Sequence, residues 1–369
     1  MTRYRFELAA PADDADLRGI LARTPMQGSI SICFCREPSY FDAAVVEGRF
    51  RQVVAARDTD SGHLVGFGAR SITPRFVAGE PRPVGYLSSL RLLAEHRSRG
   101  LVARGYRYFR QLHGDGRANL YLTTIAVENH AAAAILTSER AGLPRYRPAG
   151  DYHSIAISLR HRWRDCPTPR GITIRAASQA DVPSIIQFLD TVGPQRQYFP
   201  QYKASDLLTD HGLLRGLKLE DLFLAMHDGQ LAGVAGFWDQ RSFRQTLVHG
   251  YHGAIRVLRP LNNALAPLLG WPSLPAAGRA LQSAYVALPV VKHDNAEVFM
   301  ALLREVAGQA ARKNLDYLLL GLHERDWLLP AVKTLPGRWY ITRLYLVSWD
   351  DHGAAELVDR PPYLELGCL

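Results

Sequence analysis

The chain repeats one pattern of strands and helices, and this repeat restricts it to folds built from two similar halves. The pattern opens at Phe6 in the first half and at Ile172 in the second, an offset of 166 residues. An Asp/Gly turn precedes Leu64 and Leu231, an offset of 167 residues. Chance is a poor explanation for two offsets that agree to within one residue. The sequence therefore predicts two copies of one supersecondary arrangement.

The repeat also predicts where the halves divide. Later landmarks keep their order, with Tyr86 matching Tyr285, and an insertion at about 241–280 lengthens the second half. The Arg-rich segment 161–170 carries two prolines within three residues, a composition typical of linkers. A length of 369 residues suits two domains. We therefore predict domains at 1–160 and 171–369, joined by the linker 161–170.

Charge and hydropathy narrow the classes of function. Basic residues outnumber acidic ones by 44 to 35, and only five of them are Lys. Arg-rich chains suit anionic ligands, but the charge is spread thinly outside the linker, which argues against nucleic-acid binding. No 18-residue apolar run or secretory signal pattern is present, so we expect a cytoplasmic protein without membrane contact. Its four cysteines are then expected as free thiols.

Local patterns of the first half predict alternating strands and helices, which gives α/β character with a mixed sheet. Strands are predicted at 4–9, 51–58, 63–72, 83–92, 119–126 and 151–159, and helices at 13–23, 39–47, 99–113 and 129–140.

The turn Arg97–Gly100 stands between a β-rich run that ends at Leu93 and a helical pattern that starts near Gly100. Free N–H groups and the helix dipole make such a junction a potential anion site. Two arginines and the bare Gly100 would let a pyrophosphate approach. The alternative is an ordinary exposed basic turn.

Two motifs carry a resemblance to a known family. Arg97-x-x-Gly100-x-Val102 resembles the (Gln/Arg)-x-x-Gly-x-(Gly/Ala) pyrophosphate loop of the GNAT acyltransferase superfamily, and Asn129-x-x-Ala132 resembles its second signature. The resemblance covers residues 3–159 and reaches the second half through the repeat. It implies an α/β (α+β) chain of two tandem GNAT-like domains, each a mixed, mostly antiparallel twisted sheet flanked by helices.

The resemblance also implies acyl-CoA, most simply acetyl-CoA, as co-substrate. Leu90 and Leu92 would offer backbone groups to the pantetheine arm, and Asn129 would hydrogen-bond the arm near the thioester. The full set implied to contact the co-substrate is Leu90, Arg91, Leu92, Arg97, Ser98, Arg99, Gly100, Leu101, Val102 and Asn129. The chain departs from the family at Val102, where a small residue is usual, and at Leu136, where many members carry a tyrosine that protonates the leaving thiolate.

Candidate acid–base residues follow from the chemistry of amine acylation, which needs a base for the ammonium and donors for the oxyanion. Glu95 lies beside the loop, and Tyr146 is the best substitute acid by position. Asn129 completes the catalytic set. The alternative to a catalytic role is a structural one, in which Glu95 is a solvated turn residue and Tyr146 a packed loop tyrosine.

The second half lacks the loop, because Val291–Glu297 contains neither Gly nor Arg. Asp294 is predicted to occupy the anion position there as an N-cap, so we expect one CoA per chain. The predicted function is transfer of an acetyl or other acyl group from acyl-CoA to an amine, either a small molecule or a protein N-terminus or lysine. The alternatives are a non-enzymatic CoA-binding or regulatory protein and a nucleic-acid module. No metal site is expected, and a homodimer is compatible with the sequence.

Overall fold

Strands and helices alternate along both halves in the computed structural model, which describes residues 3–140, 142–160, 167–269, 273–350 and 359–369. The strands are β1 (Tyr4–Leu8), β2 (Ile30–Cys35), β3 (Phe50–Asp58), β4 (Leu64–Val77), β5 (Glu80–Leu92), β6 (Tyr121–Ala126), β7 (Arg145–Ser158), β8 (Ile172–Ala176), β9 (Leu222–His227), β10 (Gln230–Trp238), β11 (Gln245–Tyr251), β12 (Ser283–Val291), β13 (Tyr317–His323) and β14 (Gly337–Ser348). The helices are α1 (Asp14–Arg23), α2 (Tyr40–Ala43), α3 (Leu101–His113), α4 (His130–Leu136), α5 (Val182–Val192), α6 (Ala204–Leu208), α7 (Gly253–Leu269), α8 (Ala296–Arg312) and α9 (Leu329–Val332).

The predicted strands and helices of the first half occur in the predicted order, but β2 was not among them, β4 runs to Val77 rather than to 72, and the predicted helix 39–47 continues beyond Ala43 only as a 3-10 turn. Two further elements also differ in extent. Helix α4 ends at Leu136 rather than at 140, because the hydroxyls of Thr137 and Ser138 bond back to the carbonyl oxygens of Ala133 and Ile135. Strand β7 begins at Arg145 rather than at 151, because its first residues pair with β14.

The described residues form one twelve-stranded sheet in the order β1-β3-β4-β5-β6-β14-β7-β13-β12-β10-β9-β8. Neighbouring strands are antiparallel except for β5 with β6 and β12 with β13. Each exception lies at the same place in its half. The predicted architecture, a mixed and mostly antiparallel sheet flanked by helices in two similar halves, is confirmed.

The two halves exchange their last strands. β14 from the second half lies between β6 and β7, with Thr342 opposite Ala126 and Gly337 opposite Ile157. β7 from the first half lies in turn between β14 and β13. The halves therefore share one continuous sheet. The division at 1–160 and 171–369 stays a prediction, and 161–166 of the predicted linker lie outside the described residues.

A second, two-stranded sheet also ties the halves together. β11, from the insertion at 241–280, pairs with β2 so that Leu247 stands opposite Cys33. Cys33, Cys35 and Cys368 are buried free thiols, whereas Cys166 lies outside the described residues. Within the described part of the chain, no helix is long and apolar enough to cross a membrane.

Helix α3 positions the loop that precedes it. Its buried residues Leu101, Tyr106 and Phe109 pack on the sheet, and Tyr106 and Phe109 share a hydrophobic cluster with Leu87 and Ile125 of the strands beneath. This packing holds the N-terminus of α3 beside the end of β5.

Candidate functional site

The first half opens where β5 and β6 separate. Among the described residues, these parallel strands pair only at Gly85 with Tyr121 and at Tyr86 with Leu122. β5 then continues to Leu92 without pairing to β6. Backbone groups along two diverging edges lack each other as partners, so an extended ligand can bind there as an added strand. We call this wedge the first-half cleft.

A β-bulge in β5 decides which side chains face each side of the cleft. Ser89 has a φ of 55°, and neither Ser89 nor Leu90 stands opposite a residue of β4. Leu90 and Leu92 lie toward α3, where they line an open groove with Val102 and Phe109. The Arg91 side chain alternates to the other face, where the charge of Arg36 acts on it.

The turn before α3 has the geometry of an anion site. Gly100 adopts a left-handed φ of 69°, and a Cβ built there would meet nothing within 4 Å. No side chain caps the helix, and its first turn contains no acidic residue. Arg97, Ser98 and Arg99 are exposed beside it. First-turn amides have no partner inside a helix, so these donors, the dipole and two guanidinium groups suit a pyrophosphate.

Two further loop residues face inward. Leu101 is buried, and Val102 is half-buried against the cluster that contains Tyr106 and Leu136. The larger side chain at Val102 therefore packs under the helix and leaves the exposed side of the turn open. The residues present fit a CoA diphosphate.

Asn129 is the N-cap of α4. Its Oδ1 accepts a hydrogen bond from the backbone N–H of Ala132 at 3.1 Å. The oxygen is thus used within the protein, while the exposed side chain keeps its amide N–H groups as donors. Those donors are available for the predicted contact with the pantetheine arm, and that role stays a prediction.

Glu95 lies in a short 3-10 turn, Ala94–His96, between β5 and the loop. Its Oε1 pairs with Arg23 Nη2 at 2.6 Å, and about half of the side chain is exposed. A backbone hydrogen bond and the nearby charge of Arg23 lower the pKa of Glu95. A carboxylate with a lowered pKa is a weaker base, so its predicted catalytic role rests on position alone.

Tyr146 is buried between α3 and α4. Its hydroxyl lies 2.5 Å from that of Tyr106, and its ring packs with Leu136 and Ile125. Burial, with Tyr106 beside it, raises the pKa of Tyr146 well above 10. The hydroxyl therefore stays protonated at neutral pH, as a proton donor must. Whether it donates to the leaving group stays a prediction.

Sequence reasoning missed three groups at the cleft. The Tyr86 hydroxyl lies 2.8 Å from Thr124 Oγ1 and so bridges the strands just where their pairing ends. Tyr340 comes from β14 of the second half, and it lies near Glu128 and Arg91, whose charges act on its hydroxyl. Arg36 follows β2, far along the chain from the loop. None has a local motif, because strand exchange and long-range packing bring them together.

The second half has an equivalent cleft that the protein fills itself. β12 and β13 pair only as far as Tyr285 with Leu319 among the described residues, and β12 has a matching bulge at Leu288, with φ 51°. The N–H of Leu288 donates to Glu365 Oε2 at 3.1 Å, and the Tyr363 hydroxyl donates to the same oxygen at 2.6 Å. The chain's last residues therefore occupy this second-half cleft.

The loop of the second half is also used internally, with one correction to the sequence prediction. The N-cap of α8 is Asn295, whose Oδ1 accepts from Val298 N at 3.0 Å, and not Asp294. Asp294 instead pairs with the buried Arg196 at 2.7 Å, because that guanidinium lies between it and Asp326.

Comparisons with known proteins agree with this geometry. No protein-family model matches the chain, and no curated protein sequence matches it. Solved structures do. A GCN5-related N-acetyltransferase from Sphaerobacter thermophilus matches with a TM-score of 0.59 and 14% identity, covering 100% of this chain and 99% of its own.

Two other structures match over most of their length. N-myristoyltransferase of Saccharomyces cerevisiae, solved with bound myristoyl-CoA, has a TM-score of 0.58 and 11% identity, over 94% of this chain and 83% of its own. A tandem GNAT protein from the clavulanic acid biosynthesis pathway has a TM-score of 0.55 and 14% identity, over 94% and 98%. The protein therefore has the tandem GNAT fold.

Proposed function

We propose that the protein transfers an acyl group from acyl-CoA to an amine in the first-half cleft. The observation that carries this proposal is the uncapped, basic N-terminus of α3 beside a strand edge that is free of its neighbour. The diphosphate would bind at Arg97–Val102, and the pantetheine arm would run along Leu90 and Leu92 as an added strand. Acetyl-CoA is the simplest co-substrate, and one CoA would bind per chain.

The transfer needs no covalent enzyme intermediate. The amine nitrogen attacks the thioester carbon and forms the C–N bond, and the C–S bond then breaks with its electron pair on sulfur. The nitrogen loses a proton to water or a base such as Glu95, and the thiolate gains one. Donors at the bulge of β5 would stabilise the oxyanion between these events, while Asn129 would hold the arm.

Tyr146 is our candidate for the proton donor to the thiolate. Its hydroxyl is kept protonated by burial and shares a cluster with Leu136, the position where the resemblance leads us to expect a tyrosine. General acid catalysis contributes about 10²–10⁴-fold to a rate. Tyr146→Phe should lower kcat by about that factor, with little change in acetyl-CoA affinity.

Release of free CoA thiol from acetyl-CoA, measured over a panel of amines, tests the activity. We expect amine-dependent release by wild type, and a much slower release by Tyr146→Phe. Full activity of the variant would return Tyr146 to a packing role. Tight CoA binding without release by any amine would favour the non-enzymatic alternative.

A further inference from the structure

Two guanidinium groups meet around one carboxylate on the face of the first-half cleft opposite α3, and a third lies near them. Arg244 Nη2 donates to Glu47 Oε1 at 2.6 Å, and Arg36 Nη2 donates to the same oxygen. Arg36 Nη2 also reaches Ser89 Oγ, in the bulge of β5, at 3.3 Å. Arg91, two residues further along β5, is the third member. We call Arg36, Arg91 and Arg244 the arginine cluster.

The arginine cluster carries more positive charge than the protein neutralises. Arg36 is 7% exposed and Glu47 5%, so this charge lies out of the solvent. Arg91 makes no ion pair among the described residues, and its Nη1 donates only to the adjacent carbonyl of Leu90 at 3.1 Å. Among the described residues, Glu47 thus pairs with Arg36 and Arg244, and Arg91 has no carboxylate of its own. Uncompensated buried charge is unfavourable, so the arrangement calls for a further anion.

Buried donors in the cluster are also unused. Arg36 Nη1, Arg91 Nε and Ser88 Oγ are buried, and none has a hydrogen-bond partner within the described part of the chain. Burial lowers the pKa of Arg91, and the nearby charge of Arg36 lowers it further. Guanidinium and hydroxyl groups are donors of the kind that bind a carboxylate.

We propose that the acceptor is an amino-acid-like compound whose carboxylate binds to Arg36 and Arg91. This inference rests on the proposed acyl transfer, because it concerns the acceptor of that reaction. The arginine cluster lies across the sheet from α3, whereas the pyrophosphate loop lies on the α3 side. A carboxylate reaching the cluster therefore enters with the acceptor, and the bulge at Ser89 keeps it close to the thioester.

The test compares matched acceptors that differ in one charge. Initial rates with acetyl-CoA are measured for amino acids and for the corresponding amino acid amides, which keep the amine but lose the carboxylate. Charge-assisted hydrogen bonds contribute enough to expect roughly a 10–150-fold higher kcat/KM for the acids. Equal rates for acids and amides would overturn the inference and leave acyl transfer standing.

Two variants sharpen the test. Arg91→Gln removes a cation without leaving a carboxylate unpaired, so it should lower kcat/KM for the acids more than for the amides and thereby reduce the ratio between them. Arg110→Gln, an exposed arginine of α3, is the matched control and should keep the preference. An unchanged preference in Arg91→Gln would contradict the assignment, and the wild-type comparison stands even if that variant does not fold.

Two controls separate this inference from the proposed function. Calorimetry with acetyl-CoA tests the co-substrate site alone, and absence of binding would overturn both proposals. The carboxylate could also come from the acyl group, and the reaction of succinyl-CoA with neutral amines tests this. Faster reaction of succinyl-CoA with neutral amines than of acetyl-CoA with amino acids would overturn the acceptor assignment. If CoA binds but no amine reacts, amino acids are titrated into the CoA complex to test for binding. Absence of amino-acid binding would overturn the inference.

Discussion

The two clefts of the molecule have the same strand geometry and opposite contents. In each half, two parallel strands separate after a short pairing, and a bulge with positive φ follows at Ser89 or at Leu288. The second-half cleft holds Glu365, whose carboxyl group accepts a hydrogen bond from the N–H of Leu288. The first-half cleft has no such internal ligand within the described residues. The comparison indicates that the unpaired backbone groups of such a cleft bind a carboxylate or an extended chain. In the described residues, the first-half cleft is the one that is open to a ligand from outside the protein.

The loops before the two helices differ in the same way. In the first half, Arg97 is exposed, and its one side-chain hydrogen bond to the described residues is a long one, 3.4 Å from Nε to Leu92 O. In the second half, Arg196 is 4% exposed and bonds Asp326 and Asp294. The first loop thus leaves its guanidinium groups exposed, whereas Asp294 of the second loop is held by a buried guanidinium from elsewhere in the second half.

The largest expected effect is on stability, from the second half. Arg196→Ala leaves Asp294 and Asp326 without their cation, and breaking a buried ion pair costs about 3–5 kcal/mol. Arg97→Ala, at an exposed position, should change the free energy of unfolding by less than about 0.5 kcal/mol. Urea denaturation of both variants measures this difference. A similar small loss in each would contradict the assigned roles.

The second expected effect is a pH dependence from the filled cleft. Burial raises the pKa of the Glu365 carboxyl from 4.5 to about 7. Between these values the unfolded chain loses a proton that the folded chain keeps, so this group's contribution to stability is complete below pH 4.5 and is lost as the pH rises to about 7. The loss amounts to about 3 kcal/mol.

Glu365→Gln removes that titration while keeping a group that can accept from Leu288. The difference in unfolding free energy between wild type and Glu365→Gln, measured from pH 4 to pH 8, should therefore move in favour of the variant as the pH rises. A pH-independent difference would show that Glu365 is not a buried, protonated ligand of the second-half cleft.

The third expected effect is on ligand affinity, from the first half. Arg97→Ala removes a charge-assisted hydrogen bond of about 1.5–3 kcal/mol, which corresponds to roughly 10–150-fold weaker acetyl-CoA binding. Gly100→Val should weaken binding at least as much, because φ of 69° strains a branched residue and its side chain would cover the amides. Arg110→Ala, on the same helix, serves as the control for charge. Unchanged affinity in both loop variants would remove the assignment.

The smallest expected effect compares two identical caps. Asn129→Ala and Asn295→Ala each remove an N-cap hydrogen bond, which stabilises a protein by about 1 kcal/mol. Thermal unfolding should show similar losses in the two variants. Only Asn129→Ala should also weaken acetyl-CoA binding, and equal affinities would limit Asn129 to capping.

Local features of the fold and the loop could be predicted from the sequence. Alternation and turn chemistry predict the strands and helices of the first half, and Gly100 before an amphipathic run predicts the start of α3. These signals depend on residues close together in the chain. The limits of α4 and β7 were wrong because side chain–backbone bonds and a distant strand decide them. Strand β2, which pairs with the distant β11, was not predicted, and β4 continues to Val77 because it pairs with β5 that far.

The shared sheet and the polar face of the cleft could not be predicted in the same way. β7 and β14 exchange places between halves, and no periodicity within either strand distinguishes that pairing from a pairing inside one half. Arg36 and Tyr340 reach the cleft through this long-range packing. The identity of Glu365 as the occupant of the second-half cleft likewise depends on where the end of the chain folds back, which no local pattern encodes.

Calorimetric titration of the wild-type protein with acetyl-CoA tests the central claim most directly. An open cleft in the first half and a filled one in the second predict a stoichiometry of one per chain, with binding weakened by Arg97→Ala and unaffected by Arg110→Ala. Two equivalent sites, or a single site insensitive to Arg97→Ala, would contradict the account.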